Sequence, residues 1–206
     1  LKTGAISKEE ELKYKTALMI FLARQYYKLG WVMEIHINCR RNNNTRAFAA
    51  AGADTGYDCI GDFFSVSNTA SFLNALDSSD ELPKTILYSL NPNDDDIINS
   101  IAGCFQNKNI SAKVQQGCAW WFNDHKTGML KQMTAFANFG LLSCFIGMLT
   151  DSRSLLSYAR HEYFRRILCN LIGDWVENGE YPNDMKALSK IVEDISYNNA
   201  ASYFGF

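Results

Sequence analysis

Three stretches of the chain bring together side chains able to do chemistry. The sharpest is Gly147-Met148-Leu149-Thr150-Asp151-Ser152-Arg153, where an aspartate ends an apolar run just as a loop begins. A carboxylate in that position suits a divalent-metal ligand or a general base. Arg153, two residues on, could return to the same side and grip a substrate carboxylate bidentately. The same spacing also allows an Asp151–Arg153 ion pair or a helix cap. The second stretch is Glu34-Ile35-His36-Ile37-Asn38, followed by Arg40, Arg41 and Asn42 to Asn44. Along an extended strand Glu34, His36 and Asn38 share one face. Polar groups turned toward an interior are costly unless they bind something; the alternative is a satisfied core histidine beside a solvated loop. The third is Trp120-Trp121-Phe122-Asn123-Asp124. Adjacent tryptophans can stack on a sugar ring and donate through their indole N–H groups, although paired aromatics more often pack a core. His125 reads as a residue that opens a helix. The charges of Tyr158 to Arg166 read as scaffold that clamps the preceding loop or pairs at four-residue spacing.

The elements that must position these groups follow from periodicity and punctuation. Ser7-Lys8-Glu9-Glu10 is a capping box, apolar residues recur at helical spacing through Leu29, and Gly30 stops the helix. Trp31 to Asn38 then reads as a buried strand, and Arg40 to Thr45 as a loop at its C-terminal end. A glycine- and aspartate-rich connection over Gly52 to Asp62 leads to a short helical pattern around Phe72 to Leu76. Pro83 opens a second strand, Thr85 to Leu90. Asn91-Pro92 with Asp94, Asp95 and Asp96 supplies a cap, a first-turn proline and acids at the positive end of a helix running to about Phe105. The pattern recurs with a strand from Ala112 to about Cys118, a helix from about Gly128 to Asn138, a strand from Cys144 to Thr150 and a helix from about Arg160 to Glu177. Asp184 to Tyr203 reads as further helix. Four strand-helix units predict a parallel sheet with right-handed crossovers. The polar stretches fall just after strand C-termini, where an eight-stranded barrel keeps its active site, and this favours half of a (β/α)8 barrel over a small doubly wound sheet.

Composition bounds the rest. The 206 residues are 47% hydrophobic and 20% charged with three prolines, which marks an ordered chain with a sizeable core and no internal domain boundary. A net charge of −2 argues against nucleic acid or an anionic membrane as partner. The apolar stretch Phe139 to Leu149 is broken by Gly140, Ser143 and Gly147 and is too short to span a bilayer. Six cysteines without a CxxC pair are expected to be buried, reduced thiols of a cytoplasmic protein. The sequence opens on Leu1, so a piece of a longer polypeptide is expected.

The chain resembles the uronate isomerases, a divergent branch of the amidohydrolase superfamily. The resemblance runs through His36 with Arg41-Asn42-Asn43-Asn44-Thr45-Arg46, Gly56-Tyr57-Asp58, Leu82 to Tyr88, Trp120 to Asp124, Met148 to Arg153, Arg160 to Asn170 and Asn198-Asn199-Ala200. It implies the C-terminal half of an eight-stranded barrel with extra C-terminal helices, whose first half lies outside this sequence. The implied activity is aldose-ketose isomerisation of hexuronates, D-glucuronate to D-fructuronate and D-galacturonate to D-tagaturonate. Asp151 is implied as metal ligand or proton shuttle, and His36, Arg41 and Arg153 as substrate-binding groups. Trp120 and Trp121 are implied as active-site wall. A divalent ion, expected to be zinc, would take its other ligands from the missing half, as would other functional groups of the family. A departure falls at Asn38, where the family pattern has glycine; others are Arg40, and Phe63-Phe64 in place of a more polar stretch. Two alternatives are a metal-dependent hydrolase of the same superfamily and a catalytically silent assembly unit. A half barrel would expose two sheet edges, so association with its missing half or a second copy is expected.

Overall fold

The computed structural model describes Gly4 and residues 6–206. Helix α1 (Lys8–Leu29) begins at the expected capping box: Ser7 Oγ accepts from the Glu10 amide, and the Glu10 carboxylate accepts from the Ser7 amide at 2.8 Å. It ends at Gly30, whose φ of 69° is the left-handed turn that glycine adopts without a Cβ clash. Strand β1 (Met33–Ile37) leads into β2 (Cys39–Arg40), α2 (Thr45–Ala51), β3 (Cys59–Ile60) and α3 (Val66–Asp77). Then come β4 (Thr85–Ser89), α4 (Asp95–Gly103), β5 (Val114–Gln116), α5 (Lys126–Phe139) and α6 (Ala159–Glu177). After α7 (Met185–Glu193) a π-helical turn over Asp194–Asn198 continues into α8 (Asn199–Phe204).

The main sheet is parallel, in the order β1-β4-β5, with His36 directly beside Tyr88 and Leu87 beside Gln116. Every residue of the central strand β4 is buried, as expected of a parallel strand covered on both faces. Its alternation divides the core. Ile86 and Tyr88 pack with Trp120, Met129, Phe145, Phe164 and Leu168, whereas Leu87 packs with Ala23, Leu73, Leu76 and Ile98.

The expected strand at Cys144 to Thr150 is not a member of the sheet. Leu142–Cys144 is a 3-10 turn, and 145–150 is extended chain without a backbone ladder. Gly147, at φ 81°, interrupts the regular dihedrals a ladder requires. Side chains of the neighbouring segment bind this stretch instead. The Ile146 amide donates to Gln115 Oε1 at 3.2 Å, and the Leu149 amide to Cys118 Sγ at 3.4 Å. Asn199 Nδ2 donates to the carbonyls of Ser143 and Phe145.

The expected loop at Arg40 to Thr45 is also more ordered than its polarity implied. Arg40 pairs with Cys59 in the small β2-β3 sheet, and Asn44 caps α2 by accepting from the Ala47 amide. The C-terminal helices reach the sheet itself. Tyr203 Oη donates to the Lys113 carbonyl at 2.7 Å, so α8 closes the N-terminal ends of β4 and β5. The thiols correct another expectation: Cys118 is buried, but Cys59, Cys104 and Cys169 are exposed, and all six are unbridged. No helix among the described residues is long and apolar enough to cross a membrane.

Candidate active site

The C-terminal ends of the strands open onto a cavity of about 660 Å³, lined by residues that include His36, Arg41, Trp120 and Asp151. His36 is the penultimate residue of β1 and stacks on Tyr88, its neighbour in the sheet, with ring centroids 4.5 Å apart and planes 5° from parallel. Trp120 meets the imidazole edge-on, also at 4.5 Å. These two rings brace the imidazole, which stays exposed toward the cavity. Partial burial lowers the His36 pKa, with the nearby Asp151 charge pulling the other way, and this favours the neutral imidazole. Glu34, two residues earlier on the same face, is shifted upward by burial and then by Asp151.

Asp151 has a left-handed backbone, φ 47°, at the end of the extended segment. Its Oδ2 accepts the Trp120 indole N–H at 2.6 Å. Neither an Arg153 ion pair nor a helix cap engages it. Arg153 is exposed and outside the cavity lining. Arg160, in the first turn of α6, holds the loop by donating to the Thr150 carbonyl at 3.1 Å and by pairing with Asp124. That is the clamping role expected of this charged stretch. His125 caps α5, its Nδ1 accepting from the Gly128 amide.

Arg41 reaches the cavity from the β2-α2 connection, but its guanidinium is already engaged. It lies 2.8 Å from Asp58 and 3.5 Å from Asp54, and it sits over the Trp121 ring at 5.3 Å. The Asn42 amide, helped by Arg41, holds the Asp58 carboxyl below its usual range. Trp121 does not line the cavity; it stacks on Phe122 and backs Arg41.

Part of the cavity wall comes from residues not expected at the site. It is formed by Phe63, Phe64 and the first turn of α3, with Ser65, Asn68 and Thr69 facing in. Ser65 caps that helix, accepting from the Asn68 amide, and this cap was the one available signal. Asn38 connects this wall to the sheet. It is buried at φ 62°, a conformation asparagine tolerates far better than most residues, which accounts for its standing where the family pattern has glycine. Its Nδ2 donates to the buried Asp94 carboxylate, while its Oδ1 accepts from the Phe63 amide at 3.2 Å.

As a donor set for a divalent ion the described residues are sparse. No group of three His, Cys, Asp or Glu side chains among them could hold one. Asp151 fits as a single ligand, because its Oδ1 accepts no hydrogen bond from a described residue while its side chain borders the cavity.

The sequence profile of the glucuronate isomerase family matches residues 1–204. A uronate isomerase of Endomicrobium trichonymphae is 63% identical over 202 residues, covering 98% of this chain and 43% of that protein. A uronate isomerase of Lachnoclostridium phytofermentans is 61% identical over 206 residues, covering 100% of this chain and 44% of that protein. The crystal structure of uronate isomerase from Thermotoga maritima superposes with a TM-score of 0.87 at 32% identity, over 98% of this chain and 43% of that one. The chain thus spans under half the length of the curated relatives it matches. On the profile match and these identities, the chain belongs to the glucuronate isomerase family.

Proposed function

We propose that the polypeptide carrying this chain isomerises hexuronates between aldose and ketose, D-glucuronate to D-fructuronate and D-galacturonate to D-tagaturonate. The observation that supports this best is the convergence of His36, Trp120 and Asp151 on one cavity, in a chain of this family. The reaction is redox-neutral overall: C2 loses a proton, C1 gains one, and the hydroxyl hydrogen of O2 is replaced by one on O1. It requires a base near C2, a donor to the enediol oxygen and a group to hold the distal carboxylate.

Within this chain Asp151 is the candidate to relay a hydroxyl proton or to ligate a divalent ion. Neutral His36 can donate to, or accept from, a substrate hydroxyl without adding charge to the site. Arg41, held in place by Asp58, is the nearer carboxylate partner; Arg153 could join only if its loop folds inward. A divalent ion, expected to be zinc, would acidify a bound hydroxyl or polarise a carbonyl. Its remaining ligands would come from the part of the polypeptide beyond this chain.

We read the architecture as the second half of a (β/α)8 barrel, a single unit over residues 1–206. Among the described residues no further strand pairs by its backbone with either edge of the parallel β1-β4-β5 sheet, and the cavity lies at the strand C-termini as in such barrels. The partners in this reading are a hexuronate, the preceding half of the barrel and further copies of the whole protein, in the cytoplasm.

The test is a uronate-to-ketose assay on the full-length polypeptide, with Asp151→Asn beside it. Ketose formation is expected, with kcat reduced at least about 100-fold in the variant. Absence of ketose, or hydrolysis of amides or esters in its place, would refute the reading.

A further inference from the structure

We propose that Trp120 is a positioning residue for Asp151, and that its indole N–H matters more to the site than its ring face. The starting point is the extended segment 145–151, which reaches the rim without a backbone ladder. Three side chains of the adjacent segment reach across to it at a constant sequence separation. Gln115 binds residue 146, Cys118 binds residue 149 through both its amide and its carbonyl, and Trp120 binds Asp151. Each partner lies 31 residues further on. A fixed offset is the signature of two parallel, in-register segments. Here side chains supply the rungs that main-chain bonds would supply in a sheet.

Only the last rung touches a candidate catalytic group. Asp151 has a left-handed backbone, a conformation that residues with a Cβ adopt sparingly and that a side-chain restraint helps to hold. The indole supplies it at 2.6 Å, and Trp120 itself is buried and braced edge-on against His36. With Oδ2 committed to the indole, Oδ1 is the oxygen left for substrate or ion. A tryptophan serving only as a wall for a sugar ring would need none of this, and phenylalanine would replace it well.

Trp120→Phe in the full-length polypeptide separates the two roles, because it keeps an aromatic face and removes the donor. The kinetic arm rests on the isomerase reading. Expected is a fall in kcat of about 10–100-fold with KM within about twofold. Adding Trp120→Phe to Asp151→Asn is expected to cost nothing further, since the two act as one unit. Wild-type kcat in Trp120→Phe, or full additivity with Asp151→Asn, would overturn the proposal.

The second arm needs no activity. With 15N-labelled tryptophan, the Trp120 indole signal is the one missing from the Trp120→Phe spectrum. In Asp151→Ala that signal is expected to move upfield and to exchange with solvent about tenfold faster. An unmoved, equally protected signal would overturn the proposal. If the wild type makes no ketose but the indole responds as expected, the isomerase reading fails and the positioning contact stands.

Discussion

Asp95 shows how a single buried carboxyl can set a pH dependence unrelated to the active site. It lies on the first turn of α4, where Gln116 Nε2 donates to its Oδ1 at 2.6 Å and Asn99 in turn donates to Gln116 at 2.6 Å. Burial, helped by the neighbouring Asp96 and Asp94, pushes its pKa up from 3.8 to about 6, against the lowering effect of Gln116. Because the folded value lies above the unfolded one, the folded state holds the proton more tightly. Asp95 therefore costs the fold nothing below about pH 4, and its cost grows to full size as pH rises through about 6. Asp95→Asn keeps an acceptor for Gln116 and removes the charge. It is expected to stabilise by about 1–2 kcal/mol at pH 7.5 and to be neutral at pH 4, read as thermal midpoints across pH. Equal effects at both pH values would show that burial of the charge is not the cause.

Among the elements, the segment 145–151 depends on its surroundings far more than the strands do. Gly147 is its tightest point. At φ 81° an added Cβ would stand 2.2 Å from the Ile195 carbonyl oxygen of the π-helical turn, a backbone atom that cannot rotate away. Left-handed strain of about 1–2 kcal/mol combines with an overpacking cost of about 1–3 kcal/mol. Gly147→Ala is thus expected to destabilise by about 2–5 kcal/mol and to abolish most activity by displacing Asp151. Gly173→Ala is the control: it lies in helix α6 with nothing within 4 Å of the new Cβ, and should stabilise by about 0.5–1 kcal/mol. Chemical denaturation of both variants checks the contrast. A mild effect at Gly147 would mean that the π-helical turn can yield.

At the scale of the molecule, exposed surface is the informative quantity. The chain presents 12700 Å² to solvent, against about 9700 Å² expected for a compact monomer of this mass. The excess includes large apolar side chains on α1 and just beyond it, among them Leu18, Phe21, Leu22, Leu29 and Trp31. Expressed alone, residues 1–206 are expected to self-associate, to bind a hydrophobic dye and to form no ketose from uronates. Co-expression with the preceding half of the polypeptide is expected to restore a single species and the dye-free state. Light scattering and dye fluorescence report on both. A monodisperse fragment that binds no dye would count against the half-barrel reading.

The sequence by itself specified what local chemistry controls. The Ser7 capping box and Gly30 bound α1, Asn91-Pro92 and three acids start the turn into α4, and apolar runs place β1, β4 and β5 with their polar residues at one end. It also marked His36, Arg41, Trp120 and Asp151, because unusual polar and aromatic types stand at strand ends. Tertiary structure alone decided what depends on partners distant in sequence. The apolar run Cys144 to Thr150 has the composition of a strand, yet the contact of Gly147 with Ile195 and the side-chain rungs from Gln115, Cys118 and Trp120 hold it outside the ladder. Likewise Arg41 and Arg153 look equally suited to a carboxylate on paper, but the fold engages one with Asp58 at the cavity and leaves the other outside it. The physical reason is the same in both cases. Propensity and periodicity act within a few residues, whereas the pairing of a backbone or a charge is decided by whichever groups packing brings within hydrogen-bond reach.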